Sequence, residues 1–105
     1  MKIITDKFGL KDRDLNTIFE IFDRYSEIQL VYIFGSRAKG TQKPGSDIDL
    51  AIMNTGVSDT TIMKIKSELE DSSLPYFVDL VNFSKLKHPE FIDHIERVGK
   101  SFYEK

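Results

Sequence analysis

The apolar residues of this chain form two kinds of pattern, one with helical spacing and one of short continuous runs. Over 12–25 they recur every three or four positions, as on one face of an amphipathic helix, and the same spacing returns over 60–71 and 89–98. Between these segments lie shorter and more continuous apolar runs of strand length. The pattern therefore predicts helices over 12–25, 60–71 and 89–98, and strands over 28–34, 48–53 and 76–83.

The order of these elements predicts an α/β fold, a small mixed β-sheet with helices packed against it. The first two strands are nearly continuous apolar runs, which is typical of strands covered on both faces. Phe102 and Tyr103 predict a short last strand, and residues 1–9 are interpreted as a lead-in that ends at Gly9. With 105 residues in all, we expect a single domain spanning 1–105.

Two aspartates open the second predicted strand. Asp47 and Asp49 are two residues apart, so on a strand their carboxylates project from one face, about 7 Å apart along the chain. Paired carboxylates can hold divalent cations such as Mg²⁺, which prefers oxygen ligands and often bridges to substrate phosphates. Two such ions, about 3.5–4 Å apart, stabilise the attacking and leaving oxygens of a displacement at phosphorus.

The loop before these aspartates has the composition of a phosphate-binding turn. Gly35 directly follows the first strand and lets the backbone approach a ligand closely. A short helix beginning near Ser36 would present its amides to an anion, and the Ser36 hydroxyl adds a donor. Arg37 and Lys39 supply positive charge nearby, and the sequence leaves open which of them reaches a phosphate.

A third acidic residue interrupts the last long apolar run. Asp79 lies inside the strand predicted over 76–83, where a carboxylate would be costly to bury unless it were paired or bound to a metal. The alternative is an exposed position on an edge strand, because the sequence does not show which face of this strand is wet.

Two common motifs are excluded by their spacing. An EF-hand beginning at Asp47 would place its third acidic ligand at Ala51, its glycine at Ile52 and its terminal glutamate at Ser58. A Walker phosphate loop needs Gly-Lys-Ser/Thr after its first glycine, and Gly35 is not followed by that sequence.

Composition and charge narrow the function classes further. The chain is 40% hydrophobic and 30% charged with a net charge of −2, which is typical of a globular domain and does not favour stable binding to nucleic acid. Cysteine is absent, so thiolate metal sites are excluded, and His88 and His94 match no common zinc spacing. No secretory signal or span of about 20 apolar residues is visible, so we expect a cytoplasmic protein without a membrane partner.

The residues quoted above carry a family resemblance. Gly35-Ser36, then ten residues, then Asp47-x-Asp49 resembles the pattern of the polymerase β nucleotidyltransferase superfamily, and 10–103 resembles its minimal nucleotidyltransferases. The resemblance implies that Asp79 completes a site for two Mg²⁺ ions with the two aspartates of the motif. It also implies ATP as substrate, with its distal phosphates at the Gly-Ser turn and AMP transferred to an acceptor hydroxyl.

The resemblance also implies a partner. Minimal nucleotidyltransferases are often paired with a small helical protein of the HEPN class, and in some pairs an antitoxin adenylylates a tyrosine of its toxin. Three alternatives stay open: a small-molecule acceptor such as an aminoglycoside, an antitoxin that only masks its partner, and a regulatory nucleotide-binding module. The three aspartates argue against the inactive versions, and the short chain, with no second lobe to surround an acceptor, argues against a small-molecule enzyme.

Overall fold

A computed structural model describes residues 8–105 and arranges them as one four-stranded sheet with helices on both faces. A short 3₁₀ turn, Phe83–Lys85, follows the third strand. The helices and strands, in chain order, are α1 (Asp12–Asp23), β1 (Leu30–Phe34), α2 (Gly35–Lys39), β2 (Ile48–Ile52), α3 (Asp59–Asp71), β3 (Val78–Asn82), α4 (Pro89–Val98) and β4 (Lys100–Glu104).

The sheet is mixed, as predicted. Its strand order is β3-β2-β1-β4, with β1 antiparallel to both of its neighbours and β2 parallel to β3. A parallel pair needs a long crossover connection, and α3 supplies it between β2 and β3. As a result, β3 forms one edge of the sheet and β4 the other.

Two hydrophobic cores lie on opposite faces of this sheet. The larger core packs α1 and α3 against alternate residues of β1 and β2, including Ile33, Ile48 and Leu50. The smaller core lies under α4 and contains the buried side chains of Phe34, Ala51 and Ile95. Because side chains alternate along a strand, the residues of β2 that do not enter the larger core face the side of α4.

The helix predictions hold closely. The structure begins α3 one residue before the predicted 60 and gives α4 the predicted bounds, 89–98. Helix α1 ends at Asp23 and not at 25, because the amides of Arg24 and Tyr25 close a terminal turn onto Ile21 and Phe22.

The strands differ more at their ends. β1 begins at Leu30 and not at 28, since the amide of Ile28 donates to the carbonyl of Tyr25 in a turn. β3 is likewise shorter than predicted, and β4 is longer, extending over Lys100–Glu104. Of the predicted lead-in, residues 1–7 lie outside the described part of the chain, and Phe8 and Gly9 form a turn.

Position 99, directly after α4, requires glycine for a steric reason. Its φ of −62° is one that any residue adopts, so the position does not need the left-handed conformation common after helices. A Cβ there would instead overlap the carbonyl oxygen of Ile95 and crowd the Tyr32 ring.

None of the helices in residues 8–105 is long and apolar enough to cross a membrane.

Candidate functional site

The parallel register of β2 and β3 sets two carboxylates side by side. Asp49 is the direct partner of Asp79, on strands that lie about 4.8 Å apart. Leu50 and Leu80, the next residues along each strand, are buried in the larger core. Both aspartates therefore project from the opposite face, where α4 lies.

Gly35 lies directly against this carboxylate pair. Phe34, the last residue of β1, is paired with Asp49, so the chain leaves β1 beside that carboxylate. Gly35 has a φ of +71°, a conformation that favours glycine, and a Cβ on it would overlap Oδ2 of Asp49. Two independent constraints thus require glycine here, and the backbone of the turn touches the acidic site.

Asp47 is the third acidic residue of the site. It is exposed and immediately precedes β2. The pKa of Asp49 is raised, first by partial burial and then by the negative charges of Asp79 and Asp47, whereas the positive charge of Arg37 opposes the rise. Asp47 and Asp79, both predicted from the sequence, therefore lie within electrostatic reach of Asp49.

The donor chemistry of these residues fits a hard divalent cation, although their side chains are not gathered around one point. Within residues 8–105, no group of three or more His, Cys, Asp or Glu side chains is arranged to hold a metal ion. Three carboxylates nevertheless form an all-oxygen donor set, the kind that Mg²⁺ prefers. Asp49 and Asp79 are already neighbours on paired strands, and Asp47 lies just before the strand that carries Asp49.

The turn after β1 forms a short helix, as expected. Helix α2 starts at Gly35, and Ser36 lies half-buried in its first turn. The Ser36 hydroxyl makes no hydrogen bond to another described residue and remains able to donate to a ligand. Lys39 ends the helix with an exposed side chain.

Arg37 is placed differently from Lys39. Its side chain is buried, with 3% exposure, and its guanidinium donates to the backbone carbonyls of Phe8, Gly9 and Ser46. The sequence expectation left open whether this residue contacts phosphate. In the structure its donors are directed at protein carbonyls, and its positive charge acts on Asp49.

Asp79 corrects one argument made from the sequence. The cost of burying a carboxylate does not arise, because β3 is an edge strand and Asp79 is exposed. Its place in the site follows from its register opposite Asp49.

Phe77 is a residue whose position the sequence pattern concealed. It belongs to an apolar run and was expected in a strand, yet it precedes β3 and is 61% exposed. Its carbonyl accepts from the amide of Ile48, which continues the pairing of the two strands by one residue. Phe77 therefore lies two residues before Asp79 at the same edge of the sheet.

The two histidines have structural roles in the described part of the chain. Nδ1 of His88 accepts a hydrogen bond from the amide of Phe91 and caps α4. The ring of His94 packs edge-on against Phe34.

Comparison with known families identifies the family of this chain. The family model described as "Polymerase beta, Nucleotidyltransferase" matches residues 16–105, which include all three aspartates and the Gly-Ser turn. The chain therefore belongs to the polymerase β nucleotidyltransferase family, and the fold is the nucleotidyltransferase fold of that superfamily.

Two curated relatives and one solved structure are similar to this chain. The chain is 31% identical over 100 residues to the probable protein adenylyltransferase MntA of Haemophilus influenzae, covering 94% of this chain and 87% of the relative. It is 37% identical over 60 residues to the protein adenylyltransferase MntA of Shewanella oneidensis, covering 57% of this chain and 43% of that one. A crystal structure of a toxin-antitoxin with AMP-PNP contains a similar chain, with a TM-score of 0.69, 26% identity, and coverage of 88% of this chain and 74% of that one.

The partial burial of Asp49, together with its repulsion by Asp79 and Asp47, predicts that Asp49→Asn stabilises the metal-free fold at neutral pH. Because the pKa of Asp49 is raised above its ordinary value of 3.8, the folded state binds its proton more tightly than the unfolded chain does. Ionisation of Asp49 therefore lowers stability as the pH rises through the folded-state pKa. We expect a higher melting temperature for the variant at pH 7 in chelator, and a difference that shrinks below pH 3.8, where the carboxyl is neutral in both states.

Glu96→Gln, which neutralises an exposed carboxylate on α4, is the matched control and should leave the melting temperature nearly unchanged. A lower melting temperature for Asp49→Asn at pH 7 would contradict the view that burial and neighbouring negative charges make the ionised Asp49 destabilising.

Proposed function

We propose that this chain is a Mg²⁺-dependent protein adenylyltransferase that moves AMP from ATP to a hydroxyl of a partner protein. The acceptor we propose is a tyrosine of a small helical toxin of the HEPN class, which makes the chain its antitoxin, acting in the cytoplasm where ATP is available. The observation that carries the proposal is the register of β2 and β3, which sets Asp49 beside Asp79 next to Gly35.

The relatives support the protein acceptor. Two curated relatives are named protein adenylyltransferases, and one similar chain was crystallised as part of a toxin-antitoxin complex with the nucleotide AMP-PNP. An acceptor that is itself a folded protein also suits a site at a sheet edge, because a large surface can approach the outermost strand.

Each residue of the site has a proposed task in this reaction. Asp47, Asp49 and Asp79 hold two Mg²⁺ ions, which when bound neutralise the triphosphate and stabilise charge on the attacking and leaving oxygens. Gly35 and Ser36 seat the distal phosphates through backbone amides and a hydroxyl, and Lys39 supplies positive charge at the end of α2.

The transfer itself is a displacement at the α-phosphorus of ATP. The acceptor hydroxyl forms a new P–O bond, the bond between the α- and β-phosphates breaks, and pyrophosphate leaves. Asp79 is the member of the trio on the exposed edge strand, so we assign to it the orientation of the hydroxyl and the acceptance of its proton.

One observation favours a second candidate, an antitoxin that masks its partner by binding without catalysis. The three carboxylates are not gathered into a ligand set among the described residues, as they would be in a preassembled metal site. This candidate and the catalytic one make opposite predictions for the Asp79 variant described below.

Nucleotide binding should depend on a divalent cation. In titration calorimetry, ATP should bind with Mg²⁺ or Mn²⁺ present and lose most of its affinity in chelator. Without the cation, the negative phosphates would be repelled by the three carboxylates. The double variant Asp47→Asn with Asp49→Asn should lose the metal dependence while its circular dichroism spectrum stays that of the wild type. Equal affinity with and without chelator would refute the proposed metal site.

The Asp79→Asn variant distinguishes a catalytic antitoxin from one that only masks its partner by binding. In Asp79→Asn we expect nucleotide to remain bound while AMP transfer to the partner falls by about 10²- to 10⁴-fold, the usual contribution of general-base assistance. The partner complex should still form, since a stable protein interface covers far more surface than one carboxylate. The measurements are the mass of the partner after incubation with ATP, and its toxicity.

Full neutralisation of the toxin by Asp79→Asn, together with no mass gain from the wild type, would support the mask and overturn the catalytic proposal.

A protein acceptor also predicts a role for Phe77 in recognising it. A large exposed apolar side chain two residues from Asp79 lies where the acceptor must approach, and burial of an aromatic anchor commonly dominates the energy of an interface. Phe77→Ser should raise the KM for the partner by about tenfold or more while the affinity for ATP stays unchanged.

Met63→Ser is the matched control. Met63 is the other large exposed hydrophobic side chain among the described residues, at 70%, and lies on α3 away from the carboxylates. If both serine variants raise the KM equally, or neither does, Phe77 has no specific part in acceptor binding.

A further inference from the structure

Arg37 connects three segments of the chain that are distant in sequence. Its Nη1 donates to the carbonyl of Phe8 at 3.0 Å and to that of Gly9 at 3.3 Å, just before α1. Its Nε and Nη2 both donate to the carbonyl of Ser46, at 3.2 and 2.8 Å. The guanidinium carbon also lies 4.7 Å from the centre of the Tyr76 ring, in the loop that leads into β3.

Two of these contacts lie next to carboxylates of the site. Ser46 immediately precedes Asp47, so the doubly bonded carbonyl is part of the peptide unit that links the two residues. Tyr76 lies three residues before Asp79. One side chain therefore contacts the chain shortly before each of the two strands that carry Asp49 and Asp79.

The turn held by Arg37 is already closed on itself. The amide of Ser46 donates to the carbonyl of Lys43 at 3.0 Å, and the amide of Lys43 donates to the hydroxyl of Ser46 at 2.8 Å. These bonds set the shape of the turn but not its position relative to the sheet. The bidentate contact from Arg37 supplies that position.

The burial of Arg37 makes this role specific to arginine. A buried cation is costly unless its donors are satisfied, and here four hydrogen bonds to carbonyls and an aromatic ring surround the guanidinium. Lysine keeps the charge but lacks the planar fork that donates twice to one oxygen while also reaching two other carbonyls.

We infer that Arg37 is a positioning residue that holds Asp47 in place relative to Asp49 and Asp79 by fixing the Ser46 carbonyl, and that it is not a phosphate ligand. Its effect on nucleotide affinity rests on the proposed function, whereas its hold on the turn does not. The two parts are therefore measured separately.

The first experiment uses the nucleotide-free protein. In Arg37→Lys, hydrogen exchange measured by mass spectrometry should become faster in peptides covering 43–48 and in those covering 8–10, with no change in α4. Lys43→Gln removes an exposed positive charge from the same turn and is the matched control, expected to exchange as the wild type does. Unchanged exchange over 43–48 in Arg37→Lys would overturn the inference, whatever happens with nucleotide.

The second experiment measures Mn²⁺-ATP binding by calorimetry in a double-mutant cycle. Arg37→Lys should weaken binding by about tenfold in the wild-type background and have little further effect in Asp47→Asn, because the residue acts through Asp47. A phosphate ligand would show the reverse: lysine would largely preserve affinity, and the losses from the two variants would add. Either of those results overturns the inference.

Failure of the proposed function is distinguishable from failure of this inference. In that case the wild-type protein would bind no ATP, whereas Arg37→Lys would still show faster hydrogen exchange over 43–48. If Arg37→Lys does not fold, Tyr76→Leu replaces it in both experiments. This variant removes the ring beside the guanidinium, keeps the carbonyl contacts, and should give smaller changes in the same direction. Normal exchange and normal affinity in a folded Tyr76→Leu would count against the inference.

Discussion

The parallel pairing of β2 with β3 is the constraint on which the site depends. It places Asp49 opposite Asp79, a contact that the charges of both groups oppose. What keeps the strands paired is the apolar packing on either side of those residues. Leu50 and Leu80 are buried on one face of the sheet, and Ala51 is buried on the other, two residues beyond Asp49. The energy of the cores thus holds together an acidic pair that would separate by itself, and a divalent cation would be favoured there for the same reason.

The residues around this pair fall into two groups by what they contact. Gly35 touches the carboxylate directly, since even a methyl group would overlap Asp49. Arg37 stays out of the site and is directed at backbone carbonyls, including the one just before Asp47. A glycine that leaves room and an arginine that fixes a turn can both be essential to an acidic site without being its ligands. Their neighbours Ser36 and Lys39 are the members of the same short helix that remain accessible to a phosphate.

The edge position of β3 connects the site to its proposed acceptor. An enzyme that modifies a protein must let a large surface approach the reacting atoms, and the outermost strand of a sheet offers that access. Asp79 and the exposed ring of Phe77 both lie at this edge, so the polar group that would orient a hydroxyl has an apolar neighbour. Relatives named as protein adenylyltransferases, and a similar chain solved within a toxin-antitoxin complex, fit such an arrangement.

The sequence by itself determined the fold class and the positions of α3 and α4, because these follow from local periodicity and from short motifs, and it predicted the acidic trio. The two-residue spacing of Asp47 and Asp49 predicted a common face on one strand, whereas in the structure β2 begins at Ile48 and Asp47 lies just before it. The sequence did not determine the role of Arg37 or the exposure of Phe77. An arginine after Gly-Ser looks the same in the sequence whether it contacts a phosphate or a carbonyl, and its partners Phe8 and Ser46 lie 29 and 9 residues away. Only the tertiary structure decided that β3 is an edge strand in register with β2, since strand order and pairing depend on which surfaces the helices cover and not on the residues of the strand alone.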